Sequence, residues 1–251
     1  MGDPRRGERL PARPEVTREQ VYGRRPVREA LRGPREVLEL WATERAVKAE
    51  PWLREPAGPR VQVKAERELS EAAGTRDHQG VVAWCEPYRY AEAHALAAGE
   101  APLLACLDQV TDPRNLGAVI RSAEGAGASG VVLPAHGSAR VTPAVCRASA
   151  GAVEHLPVAV VTNLARYLAE VKRGDLWVFA ASGDAPQSMW ETELSGGLAF
   201  VFGAEGKGLR PLVRRTCDAA VAIPLAGRVE SLNVSVAAAL LLYEARRQRG
   251  G

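Results

Sequence analysis

The sequence predicts an α/β protein in two parts, a small mixed α/β unit followed by a larger unit built on a parallel sheet. In the second part, short apolar runs alternate with helical segments, and such continuous runs are typical of parallel strands covered on both faces. In the first part the same alternation recurs in shorter elements. The length of 251 residues and the hydrophobic content of 46% suit one large or two small globular domains.

The chain divides by composition into four stretches. Residues 1–19 hold three prolines and few apolar residues, which predicts a flexible tail. Residues 20–92 form the small unit, the Ala- and Gly-rich residues 93–101 form a linker, and the larger unit spans 102–251. The predicted elements of the small unit are helices at 25–31, 43–50 and 66–73 and strands at 36–41, 61–63 and 81–85.

The larger unit shows six apolar runs with helical segments between them. The last helix is the longest, and we place its N-cap at Ser231 because serine is a preferred capping residue. Arg246 and Arg247 near its end suit the negative end of the helix dipole. The predicted strands are 103–107, 130–133, 158–161, 176–180, 198–202 and 219–223, and the helices are 115–128, 143–150, 163–173, 210–215 and 231–248.

Charge and cysteine usage narrow the class of protein. The net charge is only +3, but residues 1–35 hold ten arginines against five acidic residues. Such an arginine-rich arm suits phosphate binding, and the alternative interpretation is a solvated tail.

The four cysteines lie far apart without a Cys-x-x-Cys pair, which argues against a zinc ribbon and favours a cytoplasmic protein. No run approaches the ~20 apolar residues of a membrane span, and the first residues lack a signal-peptide core.

Two glycine-rich segments invite comparison with nucleotide-binding loops. The segment 125–130 matches G-x-G-x-x-G, but it follows a helix and precedes a strand, so a helix end with a tight turn is the better interpretation. The segment 203–208 has the wrong spacing for a P-loop, and Leu209 stands where Ser or Thr should be. It follows a strong strand, where open α/β sheets bind ligands, so we predict a ligand loop that contains Glu205. The scattered histidines predict no metal site.

Two further segments carry polar side chains beyond what structure alone requires. Arg121 follows Asn115 by six residues, so the two lie about 120° apart on a helix. Arg121 has apolar neighbours and therefore needs an anionic partner or must reach solvent. Ser231, Asn233 and Ser235 open the last helix at alternate positions, although one cap needs only one of them.

In this order, the segments 115–121, 203–206 and 223–237 resemble the three motifs of the SpoU (TrmH) family of RNA ribose 2′-O-methyltransferases, within the SPOUT superfamily. The resemblance covers residues 103–248. The unit at 20–92 resembles the L30e-like substrate-binding domain of the RlmB-like subfamily. Leu225 replaces the methionine usual after Ile-Pro, a change between apolar side chains of similar size.

The resemblance implies a trefoil-knotted parallel sheet, S-adenosylmethionine bound in the knot without a metal, and a homodimer with the active site at the subunit interface. It implies methylation of a guanosine ribose in large-subunit (23S) rRNA. A different RNA, either a tRNA or another rRNA site, is one alternative. A catalytically silent RNA-binding or ribosome-assembly factor is another, but the presence of Arg121, Glu205 and Asn233 favours an enzyme.

The resemblance also implies roles for single residues. Arg121 would act on the 2′-hydroxyl, or would clamp the neighbouring phosphate and polarise the hydroxyl, because a pKa above ~12 makes arginine a difficult base. Asn115, Glu205, Ser231 and Asn233 would position RNA, the loops or Arg121. The cofactor would be bound mainly by the backbone of Gly203, Ile223 and Leu232.

Overall fold

The structure, a computed structural model, describes residues 17–54, 57–172, 175–204 and 206–250. Most of the predicted tail and Glu205 therefore lie outside the described residues. The helices and strands are, in chain order, β1 (Glu19–Tyr22), α1 (Arg24–Ala30), β2 (Val37–Ala42), α2 (Glu44–Ala49), β3 (Val61–Val63), α3 (Glu66–Ala73), β4 (Val81–Cys85), α4 (Ala93–Leu96), β5 (Leu103–Asp108), α5 (Pro113–Gly125), β6 (Gly130–Pro134), α6 (Pro143–Ala148), β7 (Val158–Val161), α7 (Leu164–Val171), β8 (Leu176–Ala181), β9 (Gly197–Gly203), α8 (Pro211–Thr216), β10 (Ala219–Val221) and α9 (Val234–Gln248).

The N-terminal sheet contains four strands in the order β1-β4-β2-β3. Strand β4 runs antiparallel to both β1 and β2, whereas β3 runs parallel to β2. Helix α2 begins where the Thr43 hydroxyl accepts a hydrogen bond from the Ala46 amide, as its cap position predicts. Strand β1 was not predicted, because only Val21 of its four residues is fully buried and the stretch lacks a clear apolar pattern.

The C-terminal sheet has six strands in the order β10-β8-β9-β5-β6-β7, and every pair within it is parallel. Apolar side chains fill both faces, with α5, α6 and α9 on one side and α4, α7 and α8 on the other. Burial on both faces explains why these strands are continuous apolar runs. The predicted α/β fold with a parallel C-terminal sheet is confirmed, and the knot stays a prediction.

Helices α5 and α9 begin at different residues from those predicted. Helix α5 begins at Pro113, and the Asp112 carboxylate before it accepts a hydrogen bond from the Arg114 amide at 2.8 Å. This hydrogen bond, together with one from the Arg114 side chain, lowers the pKa of Asp112. The prediction that Ser231 caps the last helix is wrong. Asn233 is the cap, because its side-chain oxygen accepts the Ser235 amide at 2.8 Å.

Two predicted connections also have a defined structure. The glycine segment 125–130 is the end of α5 and the turn into β6, as its position between a helix and a strand predicts. The stretch 93–101 contains the short helix α4, whose Ala93 carbonyl accepts the Tyr167 hydroxyl at 2.9 Å. This contact packs that stretch against α7. Among the described residues, no helix has the length and apolar character needed to span a bilayer.

A buried ion pair connects the N-terminal domain to the C-terminal domain. Arg35 of the N-terminal domain donates from Nε to Glu154 Oε2 of the C-terminal domain at 3.1 Å, and its Nη2 contacts Oε1 of the same carboxylate. The side chains are 6% and 1% exposed. Although burial alone lowers the pKa of Arg35, the hydrogen bonds with Glu154 raise it above the ordinary value for arginine. The pair is therefore a buried polar contact across the junction of the two domains.

Candidate functional site

A cavity of about 510 Å³ lies at the carboxyl ends of β8, β9 and β10, beside the start of α9. Ligands of open α/β sheets bind at such an edge, and the volume suits a small molecule. We call it the strand-end cavity. Its lining residues come from the three strand ends with the loops that follow them and from the first turn of α9. They are Ala181, Ser182, Gly183, Phe202, Gly203, Ala204, Gly206, Gly208, Val221, Ile223, Leu225, Glu230, Ser231, Leu232, Asn233, Val234 and Ala237.

The loop after β9 forms one wall of the cavity by a close approach of its own backbone. A Cβ atom on Gly203 would lie 2.2 Å from the Gly208 carbonyl carbon, so no other residue fits there without a shift. The Gly208 amide donates to the Ala204 carbonyl at 2.9 Å and closes the turn. Gly206 and Gly208 have φ values of 72° and 64°, a conformation that favours glycine. The loop thus presents main chain to the cavity.

A buried carboxylate at the end of β5 holds the far end of this loop. Asp108 is fully buried and accepts hydrogen bonds from the Arg210 amide at 2.9 Å and from Arg210 Nε at 2.8 Å. The pair of Asp108 and Arg210 thus connects the end of β5 to the residue directly before α8. The pair was not predicted, although an aspartate at the end of an otherwise apolar, buried strand indicates that its carboxylate needs a polar partner.

The starts of α5 and α9 are in direct contact. Asn233 Nδ2 donates to Asn115 Oδ1 at 3.0 Å, and Asn233 lines the strand-end cavity. Ser231, Ile223 and Leu232 line the same cavity. The first and third sequence motifs, far apart along the chain, are therefore neighbours at one edge of the sheet.

Arg121 lies elsewhere. It is exposed on α5, about 9 Å along the helix axis from Asn115, since each residue adds 1.5 Å. It lines a second cavity, of about 540 Å³, between the two domains, which we call the arginine cleft. The other residues that line this cleft are Arg24, Arg25, Arg28, Glu50, Trp52, Gln79, Arg147, Ala148 and Ala150.

Thiol chemistry has no support in this structure. All four cysteines are free, and three of them are buried. Burial raises the pKa of Cys85 and Cys146 to about 12, so neither thiol is ionised near neutral pH. Within the ranges that the structure describes, no three His, Cys, Asp or Glu side chains group as metal ligands.

Two family models match the chain. Residues 102–243 match the SpoU rRNA methylase family, and residues 20–91 match the RNA 2′-O ribose methyltransferase substrate-binding domain. The chain belongs to the SpoU rRNA methylase family. The family predicted from the three motifs is thus confirmed.

Curated members of the SpoU family match over nearly their whole length. The 23S rRNA (guanosine-2′-O-)-methyltransferase RlmB of Pseudomonas putida is 42% identical over 240 residues, which cover 92% of this chain and 97% of the relative. The putative TrmH family tRNA/rRNA methyltransferase YacO of Bacillus subtilis is 40% identical over 238 residues, which cover 91% of this chain and 95% of the relative.

Solved SpoU structures share the fold. AviRb from Streptomyces viridochromogenes, in complex with the cofactor AdoMet, superposes with a TM-score of 0.78 at 28% identity and covers 92% of this chain and 90% of its own. A structure described as giving insights into 2′-OH methylation of C/U34 on tRNA has a TM-score of 0.55 at 32% identity. That protein covers only 60% of this chain but 98% of its own.

The structure places the predicted site residues in two groups. Gly203, Ile223, Ser231, Leu232 and Asn233 line the strand-end cavity, and Asn115 contacts Asn233. Arg121 lines the arginine cleft, and Glu205 is outside the described residues. The catalytic and cofactor-binding roles of all these residues stay predictions. Arg147 and Trp52 were not predicted to lie near Arg121, because nothing in the local pattern of the sequence shows that these residues line one cleft.

Proposed function

We propose that this protein transfers a methyl group from S-adenosylmethionine to the ribose 2′-hydroxyl of a guanosine in large-subunit rRNA. The observation that carries the proposal is the strand-end cavity, which three separate segments of the SpoU domain build together. Curated relatives named 23S rRNA (guanosine-2′-O-)-methyltransferase align with both domains of the chain and supply the substrate class.

The cavity residues fit this cofactor. Phe202, Leu225 and Leu232 offer apolar surface for the adenine ring, and the loop at Gly203 offers main-chain groups for hydrogen bonds. Glu230, also on the lining, is suited to the cofactor's amino group. When bound, S-adenosylmethionine supplies an electrophilic methyl group on a sulfonium. That chemistry needs no metal.

The chain itself must position the hydroxyl and provide a route for its proton, because a ribose hydroxyl is a poor nucleophile at neutral pH. We assign the positioning to Arg121, whose planar guanidinium can bind a backbone phosphate and donate a hydrogen bond to the 2′-oxygen. The proton then passes to that phosphate or to water. Within one chain, the contact between Asn115 and Asn233 holds the start of α5, the helix that carries Arg121, against the start of α9.

A homodimer is part of the proposal. Arg121 lines the arginine cleft and not the strand-end cavity of its own chain, so we infer that a second chain brings an arginine to each cavity. Helix α9 supports this, because Val236, Leu240 and Tyr243 are 45%, 40% and 50% exposed and fall on one side of the helix. An exposed apolar row of this kind marks an interaction surface.

Ribosomal RNA is favoured over tRNA by the extent of the matches. The relatives named for 23S rRNA cover both domains, whereas the relative described for C/U34 of tRNA covers 60% of this chain. The N-terminal domain, which matches the substrate-binding model, is thus shared with the rRNA relatives. We accordingly place the reaction in the cytoplasm, where rRNA is processed.

The test is methyl transfer by the purified full-length protein. An unmodified 23S rRNA transcript and bulk unmodified tRNA transcripts are incubated with S-adenosylmethionine labelled in its methyl group. We expect label in 23S rRNA, in one alkali-resistant dinucleotide with a 2′-O-methylguanosine on its 5′ side. Label in tRNA alone, label on a base, or no label in any RNA would contradict the proposal.

A further inference from the structure

We propose that the arginine cleft is a binding site for the RNA phosphodiester backbone, with Arg25, Arg28 and Arg147 as its phosphate ligands. The site is built by both domains, since Arg25 and Arg28 lie on α1 and Arg147 lies on α6. The inference rests on the proposed function, because it concerns the RNA segment that would reach Arg121.

The charges in the cleft are not balanced by the protein. Five arginines line it against one carboxylate, that of Glu50, which pairs with Arg24 at 3.1 Å. Over the described residues, Arg25, Arg28, Arg121 and Arg147 form no ion pair with a carboxylate. Several arginines elsewhere do, for instance Arg67 with Glu71, Arg166 with Glu170 and Arg247 with Glu244. The cleft is distinguished by the number of such unpaired arginines that it brings together. A concentration of unpaired like charges in a concave site attracts an anionic ligand.

Arg147 has the most constrained position of the group. It lies in the last turn of α6, and its side chain crosses to the N-terminal domain, where a Cβ on Gly23 would come within 3.1 Å of its Cδ. Its Nε is buried and has no hydrogen-bond partner among the described residues. A guanidinium held in this way can donate two parallel hydrogen bonds to a phosphate.

Trp52 points to a polynucleotide and not to a free inorganic anion. The indole lines the cleft, and its Nε1 donates to Glu50 at 2.9 Å, which fixes the ring beside Arg24. Proteins that bind single-stranded RNA combine aromatic side chains, on which bases stack, with a positively charged groove along the backbone. Here the groove crosses the junction of the two domains, across which Arg35 and Glu154 form a buried ion pair.

The position of Arg121 gives the cleft its place in the reaction. Because Arg121 lines the same cleft as Arg147, phosphates bound by Arg147 belong to the RNA segment that passes the reacting nucleotide. The cleft would therefore determine how far the target lies from the point where the N-terminal domain binds the RNA. Changes at Arg25, Arg28 and Arg147 should therefore weaken RNA binding.

The experiment measures binding of a radiolabelled, unmodified 23S rRNA transcript to the full-length protein at several salt concentrations. The variants are Arg147→Gln and the double change Arg25→Gln with Arg28→Gln. Arg166→Gln is the matched control, since it removes an exposed arginine from α7 on the other face of the sheet. We expect affinity to fall about tenfold or more for each cleft variant. The slope of log K against log salt should decrease by about 0.7 to 0.9 for each phosphate that the variant no longer binds.

A further variant separates charge from geometry and covers a folding defect. Arg147→Lys keeps the positive charge, so the slope of log K against log salt should stay close to that of the wild type. The affinity should still decrease in part, because lysine lacks the planar guanidinium that binds a phosphate through two hydrogen bonds. If both cleft variants and Arg147→Lys bind with the affinity and salt slope of Arg166→Gln, the inference is wrong, even where the wild type methylates the transcript. If the cleft variants lose affinity as expected but the wild type transfers no methyl group, the proposed function fails and the binding site remains.

Discussion

The buried pair between Arg35 and Glu154 gives a prediction whose magnitude follows from its geometry. We consider Glu154→Ala, which removes the carboxylate and leaves a guanidinium that is 6% exposed. Breaking a buried ion pair in this way costs about 3–5 kcal/mol, because one charge stays buried without its partner. Arg35 keeps Glu19 at 3.3 Å and the Glu86 carbonyl at 3.4 Å, so we expect a loss at the lower end, about 3 kcal/mol.

The matched variant is the double replacement Arg35→Met with Glu154→Leu. It removes both charges and fills the space with apolar side chains, and such replacements are often neutral or stabilising. In a chain of 251 residues, a loss of 3 kcal/mol corresponds to a decrease in Tm of about 6–12 °C. The double variant should melt near the wild type. The assay is thermal unfolding by calorimetry on the full-length protein, at one protein concentration.

Two outcomes would refute this reasoning. A decrease in Tm of less than about 2 °C for Glu154→Ala would mean that the pair is solvated or dispensable. A double variant as unstable as the single one would mean that the defect comes from packing at position 154 and not from an uncompensated charge.

Three further predictions concern the reaction and the assembly. Arg121→Lys and Arg121→Ala should fold and bind cofactor but lose at least ~100-fold in single-turnover methyl transfer; a near-normal rate for the lysine variant would remove Arg121 from the mechanism. Leu240→Glu should convert the dimer into a monomer, as measured by sedimentation, whereas Val63→Glu, at an exposed valine outside α9, should not; an active wild-type monomer at micromolar concentration would contradict the dimer. Calorimetric titration with S-adenosylmethionine should show binding in the presence of a chelator, and binding that requires added metal would overturn the metal-free site.

Much of the fold was predictable because burial leaves a local trace in the sequence. The strands Val81–Cys85 and Val158–Val161 have the predicted bounds, since each is a compact apolar run. Strand β1 escaped prediction because pairing with β4, and not side-chain pattern, makes it a strand. The start of α9 was misplaced because Ser231 and Asn233 are both good caps, and only the structure shows that the Asn233 side chain binds the amide.

The site was predictable only in part. The sequence motifs indicated the loops of the strand-end cavity, but their contact depends on the order in which strands join the sheet. The arginine cleft depends on packing between domains, where Gly23 meets Arg147 and where Arg35 pairs with Glu154, 119 residues away. Such contacts follow from the tertiary arrangement and have no periodicity or local spacing that would reveal them.

The most direct test of the account is a map of ribose 2′-O-methylation in all rRNA and tRNA from cells with and without the gene. The account predicts that one guanosine of 23S rRNA loses its methyl group while tRNA is unchanged. The wild-type gene should restore it, and the gene with Arg121→Ala should not. An unchanged 23S map in cells without the gene, or a loss confined to tRNA, would contradict the central claim.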